Sequence, residues 1–205
     1  MNLATTPRCE LQANTRIATQ ETIVDKAALS TIPLRWRHVI LNTHSSWLHG
    51  DPRGFRSRDH RIHSSGDYRN PPPEGEHARL HEWMKKRAGP KVVFEEAVWQ
   101  TIAEALRDRL LRLDRRILAV SMSAVHVHLL VELPDLPSVY RDECGLAKRF
   151  ATEQVKGVLT GKLWAAGGTF KPIVDLDHQR RTYIYITTKQ RPAWVWDYEV
   201  GGRIL

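Results

Sequence analysis

The feature that most constrains this chain is the run Val125-His126-Val127-His128-Leu129-Leu130-Val131. A strand has a side-chain period of two, so Val125, Val127, Leu129 and Val131 fall on one face and His126 and His128 share the other. A segment of this kind needs a sheet with at least one covered face. The run from Ile117 to Met122 precedes it with too few residues between for anything but a tight turn, so the spacing predicts a hairpin of Ile117 to Met122 with Val125 to Leu133.

The remaining elements arrange themselves around that hairpin. A first strand is expected from Leu34 to Thr43, where Val39, Ile40 and Leu41 form an apolar centre between basic flanks. Helix-forming composition spans Glu76 to Arg87 and is stopped by Pro90. In the next helical segment Val98, Ile102, Leu106 and Leu110 recur every fourth residue, with Ala105 and Leu113 beside them, which predicts an amphipathic helix packed on a core. A helical pattern returns from Ser138 to Leu159 through Leu146, Phe150 and Val155, with Lys148, Arg149 and Lys156 on its polar side and Gly161 as its end. A short strand near Phe170 to Val174 then leads into a final helix, N-capped by Asp177, that runs through Tyr183 to about Lys189. The order strand, helix, strand, strand, helix, strand, helix predicts an α+β fold. Its expected form is a ferredoxin-like or RRM-like antiparallel sheet packed with helices, with the two histidines on a central strand. The expected organisation is a poorly ordered tail over residues 1–32, one domain over 33–199 with a basic loop at 51–73, and a short tail over 200–205.

Charge narrows the class of partner. Thirty-one Lys and Arg against 23 Asp and Glu give a net charge of +8, with an isoelectric point near 9.8, and this balance points to a polyanion, nucleic acid first. No apolar run reaches the roughly 18 to 20 residues of a membrane span, and the start of the chain has no secretory pattern, so the expected compartment is the cytosol. Cys9 and Cys144 are too few for a disulfide framework and are read as free thiols. The Arg-, Gly- and Pro-rich loop reads either as a solvated insertion or as a phosphate-gripping arm built on Arg53, Arg56, Arg58 and Arg61.

Two features carry chemistry. Imidazoles at adjacent same-face positions of a rigid strand, as at His126 and His128, form half of a divalent-metal site; the alternative is a pair of half-exposed surface histidines. In QRRTYIYITTKQ, Tyr183 and Tyr185 point about 200° apart on a helix. Tyr183 shares a face with Ile186, Thr187 and Gln190, and Tyr185 with Arg181 and Lys189. A phenol, with a pKa of roughly 10, is a poor nucleophile at neutral pH and needs a metal-polarised electrophile.

Taken together, HVHLLV at His126 to Val131 and the later YIYITTKQRP segment resemble the single-tyrosine HUH transposases. This is the insertion-sequence-200-like family that includes the REP-associated tyrosine transposases. The resemblance runs over about Arg35 to Trp196 and includes GKLWAAGGTFKPIVD before the tyrosine helix. It implies cleavage and rejoining of single-stranded DNA, including hairpin ends, through a 5′-phosphotyrosine. Tyr183 is the implied nucleophile, with Tyr185 as the alternate, and Mg²⁺ or Mn²⁺ the ion held by His126 and His128. Relatives place Gln, Asn or His one turn after the tyrosine as a further ligand. Thr187, a weak ligand, stands there instead, with Gln190 and His178 as substitutes. Arg53, Arg56, Arg58, Arg61, Lys148, Arg149, Lys156 and Lys171 are the expected backbone contacts, and Trp164 or Phe170 the expected base-stacking groups. The protein is expected to act as a monomer or a homodimer. Two other readings stand beside this one: a non-catalytic nucleic-acid-binding module on the same sheet, and a metal-dependent phosphodiesterase that uses water in place of the tyrosine.

Overall fold

The period-two alternation around His126 builds one antiparallel sheet covered on both faces. The computed structural model describes residues 31–56, 61–66 and 69–205, of which Ile32–Leu205 belongs to a single compact unit. The expected tail over 1–32, apart from residues 31 and 32, and Arg58 of the basic loop lie outside the described residues. In chain order the elements are β1 (Leu34–Asn42), α1 (Ala78–Ala88), α2 (Glu96–Leu111), β2 (Ile117–Met122), β3 (His126–Pro134) and α3 (Pro137–Val155). They continue with β4 (Thr169–Pro172), α4 (Leu176–Thr188), β5 (Trp194–Asp197) and β6 (Gly201–Ile204). The strands lie in the order β4-β1-β3-β2-β5-β6, and every neighbouring pair is antiparallel. The β4-β1-β3-β2 portion is compatible with a ferredoxin-like arrangement, because each β-α-β crossover skips one strand.

Alternation decides which helix covers which face. Val39 and Leu41 of β1, Val120 and Met122 of β2, and Val127, Leu129 and Val131 of β3 are fully buried with the apolar stripes of α2 and α3. On α2 the stripe is the expected Val98, Ile102, Leu106 and Leu110, and on α3 it is Tyr140, Cys144, Ala147, Ala151 and Val155. Each large side chain in this layer contributes about 1.5–3 kcal/mol of transfer free energy, and truncating Leu129 to Ala should cost about 2–5 kcal/mol. The opposite face carries a smaller cluster, in which Leu130 and Ala119 pack against Ile186 of α4 with Trp36, Ile173 and Tyr183 around them. His126 and His128 belong to this second face.

Three local expectations are corrected. The cap of α4 is Asp175, whose Oδ1 accepts from the His178 backbone N–H at 2.6 Å, so Asp177 is a first-turn residue. Helix α3 stops at Val155 and unwinds through a turn, short of the expected Leu159. Residues 200–205 are no tail, since β5 and β6 pair as a hairpin that extends the sheet. Asp197 makes that turn: its Oδ1 accepts from the backbone N–H groups of Glu199 and Val200, and its Oδ2 from Arg203. Gly201 supplies the positive φ of 87° that the turn requires. At Gly202 a Cβ would come within 2.5 Å of the Trp194 ring, so only glycine fits.

Candidate active site

The second face of the sheet gathers three imidazoles, not two. Register places Ile40 opposite His128 and Asn42 opposite His126, and period two then puts His38 of β1 on the same face, diagonal to His128. His38 Nε2 lies 2.8 Å from His128 Nδ1. Their rings stack at 5.0 Å, and the His126 ring stands perpendicular to that of His128 at 4.8 Å. His38 is 8% exposed and His128 is 4% exposed, so both sit beneath α4 with little water around them.

Helix α4 lays Tyr185 over this cluster. Its ring meets His128 edge-on at 5.6 Å and His38 at 5.9 Å, yet it remains 43% exposed. Tyr183 takes the other flank. It packs edge-on against Tyr198 at 6.1 Å, and burial, then the carboxylates of Asp197 and Glu199, push its phenol up to about 12. The tyrosine that the structure brings to the histidines is therefore Tyr185. The resemblance selected Tyr183 because it matches the opening of the family segment, but matching residue types do not fix which flank of the helix overhangs His128.

Just past the end of α4, Gln190 is buried, and its Oε1 stands 3.3 Å from His126 Nε2. The other two ligand candidates are placed differently. Thr187 donates its hydroxyl to the Tyr183 carbonyl one turn earlier at 2.9 Å, so its proton is used within the helix. His178 Nδ1 accepts from the Val174 backbone N–H at 3.4 Å beside the start of α4, and the ring acts electrostatically on His38.

Burial sets the protonation of the cluster. It pushes His38 down to about 4, helped by Lys171 and His178. His128 falls to about 2, through burial first and then through His126, His38 and Lys171. His126 is also lowered by burial, against its hydrogen bond to the Gln190 amide oxygen, which favours the charged form, and with help from Arg53. All three are neutral imidazoles at neutral pH, the form that binds metals.

The donor set fits a divalent ion at one corner. Two ligands about 2.1 Å from one ion, at angles between octahedral and tetrahedral, stand about 3.0–3.5 Å apart. The Nε2 to Oε1 separation of His126 and Gln190, 3.3 Å, falls in that interval. The set is two imidazoles and an amide oxygen; among the described residues no group of three or more His, Cys, Asp or Glu side chains is arranged around a metal position. Nitrogen ligands favour Mn²⁺ over Mg²⁺.

The basic residues separate into different roles. Lys171 lies opposite His38 on β4, on the edge of the cluster, and its charge reaches both His38 and His128. Arg53 spends its fork on Asp51 and the Ser46 carbonyl and stacks over Trp47 at 4.4 Å, so it pins its own loop. The backbone of Arg56 pairs with that of His63 in an isolated β-bridge, and Arg61 is exposed two residues before His63. Lys148 donates to the carbonyls of Ala165 and Gly167, both at 2.8 Å, and holds that loop to α3. Arg149 lines a cavity of about 390 Å³ with Lys162 and Trp164, and Lys156 pairs with Glu153. Trp164 is a core residue, buried, edge-on to Phe94 at 5.4 Å and bonded through Nε1 to Thr152. Phe170 likewise packs on Tyr140.

Among the described residues, the member of this cluster missed in the sequence is His38. Its signal was present, since it alternates with Val39 and Leu41, but its position beside His128 depends on the pairing of β1 with β3. Compared with known proteins, the chain matches no family model and no curated protein. Among the described residues no helix is long and apolar enough to cross a membrane.

Proposed function

We propose that this protein is a single-stranded DNA transesterase, in which Tyr185 is the nucleophile and His126, His128 and Gln190 hold a divalent ion. The observation that carries this reading is the convergence on one sheet face of a half-exposed tyrosine ring over His128 and an amide oxygen against His126. The HUH-like order of these segments and the net charge of +8 support a nucleic-acid substrate.

A bound Mn²⁺ or Mg²⁺ would polarise a non-bridging oxygen of the scissile phosphate. The chain's own residues do the rest. Tyr185 is held by α4 with its ring edge-on to two buried imidazoles, a fixed support for a nucleophile, and its exposed side leaves room for a strand. Lys171 supplies a fixed positive charge at the edge of the cluster for the phosphate backbone. In the transfer the Tyr185 oxygen forms a bond to phosphorus and the phosphorus–3′-oxygen bond breaks. The phenolic proton ends on the 3′ oxygen, leaving a 5′-phosphotyrosine. Rejoining is the same exchange in reverse, so no nucleotide triphosphate is consumed.

The test is to incubate the full chain with labelled single-stranded and hairpin oligonucleotides and Mn²⁺, and to look for a protein–DNA adduct that survives denaturant. Wild type is expected to form it and Tyr185→Phe to lose it. Retention of DNA with no adduct in wild type would identify a non-catalytic binding module instead. Cleavage with no adduct would identify a water-using phosphodiesterase.

A further inference from the structure

A histidine that binds a metal through one ring nitrogen carries its proton on the other, and that N–H needs an acceptor to fix the tautomer and the ring. His128 has such a partner in His38. The two rings are buried, come from adjacent strands, and meet through His128 Nδ1 and His38 Nε2 at 2.8 Å. The direction of this bond decides what His128 can do. If Nδ1–H of His128 donates, Nε2 keeps an open lone pair; if His38 donates, the proton of His128 sits on Nε2 and closes it. An isolated neutral imidazole favours the proton on Nε2, so the productive tautomer needs an acceptor at Nδ1.

We propose that His38 is a positioning residue, whose Nε2 accepts the Nδ1 proton of His128 and so leaves His128 Nε2 open as a metal-binding lone pair. This rests on the reading of His128 as a ligand and adds a residue to it that has no contact with the ion. Tyr185 is part of the same arrangement, because its ring packs edge-on to both imidazoles and keeps water from competing for the shared proton. The helix that carries Tyr185 and the strand that carries His38 thus fix the same ring from two sides.

The tautomer is readable without metal or DNA. In the full chain labelled with ¹⁵N-histidine, with His128 assigned from the spectrum of His128→Gln, the ring nitrogens of wild type are expected to show Nδ1–H at His128. His38→Phe keeps an aromatic ring and removes the acceptor; His128 should move to Nε2–H, and Mn²⁺ affinity should fall about 10- to 100-fold. His38→Gln places Oε1 near the lost Nε2 and should restore both. A purely structural role for His38 would move neither the tautomer nor its rescue by Gln. Nε2–H at His128 in wild type overturns the proposal, as does unchanged Mn²⁺ affinity in a folded His38→Phe protein. If His38→Phe fails to fold, the wild-type tautomer decides alone. Absence of a DNA adduct would count against the transesterase reading only, because neither readout here uses DNA.

Discussion

Nε2 of His126 and Oε1 of Gln190 stand 3.3 Å apart, brought together from β3 and the end of α4 across 64 residues of chain. An amide oxygen at that distance from an imidazole nitrogen can share an ion with it, and in the proposed site it fills the place that Thr187 would otherwise take. Gln190→Ala should therefore weaken Mn²⁺ binding by about tenfold or more while costing about 1 kcal/mol of stability for the lost hydrogen bond. Gln190→Glu should bind Mn²⁺ more tightly than wild type, since a carboxylate is the better hard ligand. Mn²⁺ titration and urea unfolding of both variants check this, and equal affinity in Gln190→Ala would remove the residue from the site.

In the proposed reaction the two tyrosines of α4 have different parts, Tyr185 as nucleophile and Tyr183 in packing. Tyr185 touches the imidazoles and Tyr183 touches Tyr198 and the Asp197 carboxylate. Tyr185→Phe deletes one hydroxyl from a half-exposed ring, so folding and DNA retention should be unchanged and the denaturant-stable adduct absent. Tyr183→Phe should keep the adduct. The reverse pattern in the same assay would return the nucleophile to Tyr183.

Much of this arrangement was legible in the chain, and the misses have physical causes. The apolar positions Val125, Val127, Leu129 and Val131 fix which face His126 and His128 share, because period two is a property of one strand. His38 needed a second strand and its register. The helix phase places Tyr183 and Tyr185 on different sides of α4, but which side overhangs His128 depends on how α4 crosses the sheet, and Ile186 packing on Leu130 and Ala119 sets that. Strands β5 and β6 have four residues each, too short for periodicity to register, although Asp197 and the glycine pair Gly201-Gly202 mark their turn. The basic residues were legible as charge and not as roles: nothing in the local sequence distinguishes Lys148, which ties a loop to a helix, from Arg149 one residue later.

That difference is measurable. Lys148 is lowered by burial and bonds two backbone carbonyls, so Lys148→Met should leave those carbonyls short of a donor and cost about 1–3 kcal/mol. Arg149→Ala should change stability by no more than about 0.5 kcal/mol. If the cavity beside α3 receives phosphates, Arg149→Ala should also reduce the slope of log affinity against log salt by about one. Urea unfolding and salt titration of oligonucleotide binding read the two effects. A flat stability response in Lys148→Met would undo its role as a tie, and an unchanged salt slope in Arg149→Ala would take that cavity out of DNA binding.

The buried imidazoles also predict how stability responds to acid in the metal-free protein. His38 ionises at about 4 and His128 at about 2 in the fold, against 6.5 for an unperturbed imidazole. Between those values and 6.5 the unfolded chain holds protons that the folded chain does not. Stability therefore rises with pH through this window, is fully present above 6.5, and is lost progressively as pH falls below it. Well below 6.5, each such histidine contributes a slope of up to about 1.4 kcal/mol per pH unit. Carboxylates act in the same direction only nearer their own range, so the interval from about pH 5 to about 6.5 isolates the imidazoles. Urea midpoints with chelator present should be level from about pH 8 to 7 and fall from about pH 6.5 to 5. His38→Gln should fall less steeply over the same interval, because one of the displaced protons is gone. A midpoint that stays level down to about pH 5 would mean that the imidazoles are not held neutral by burial beneath α4.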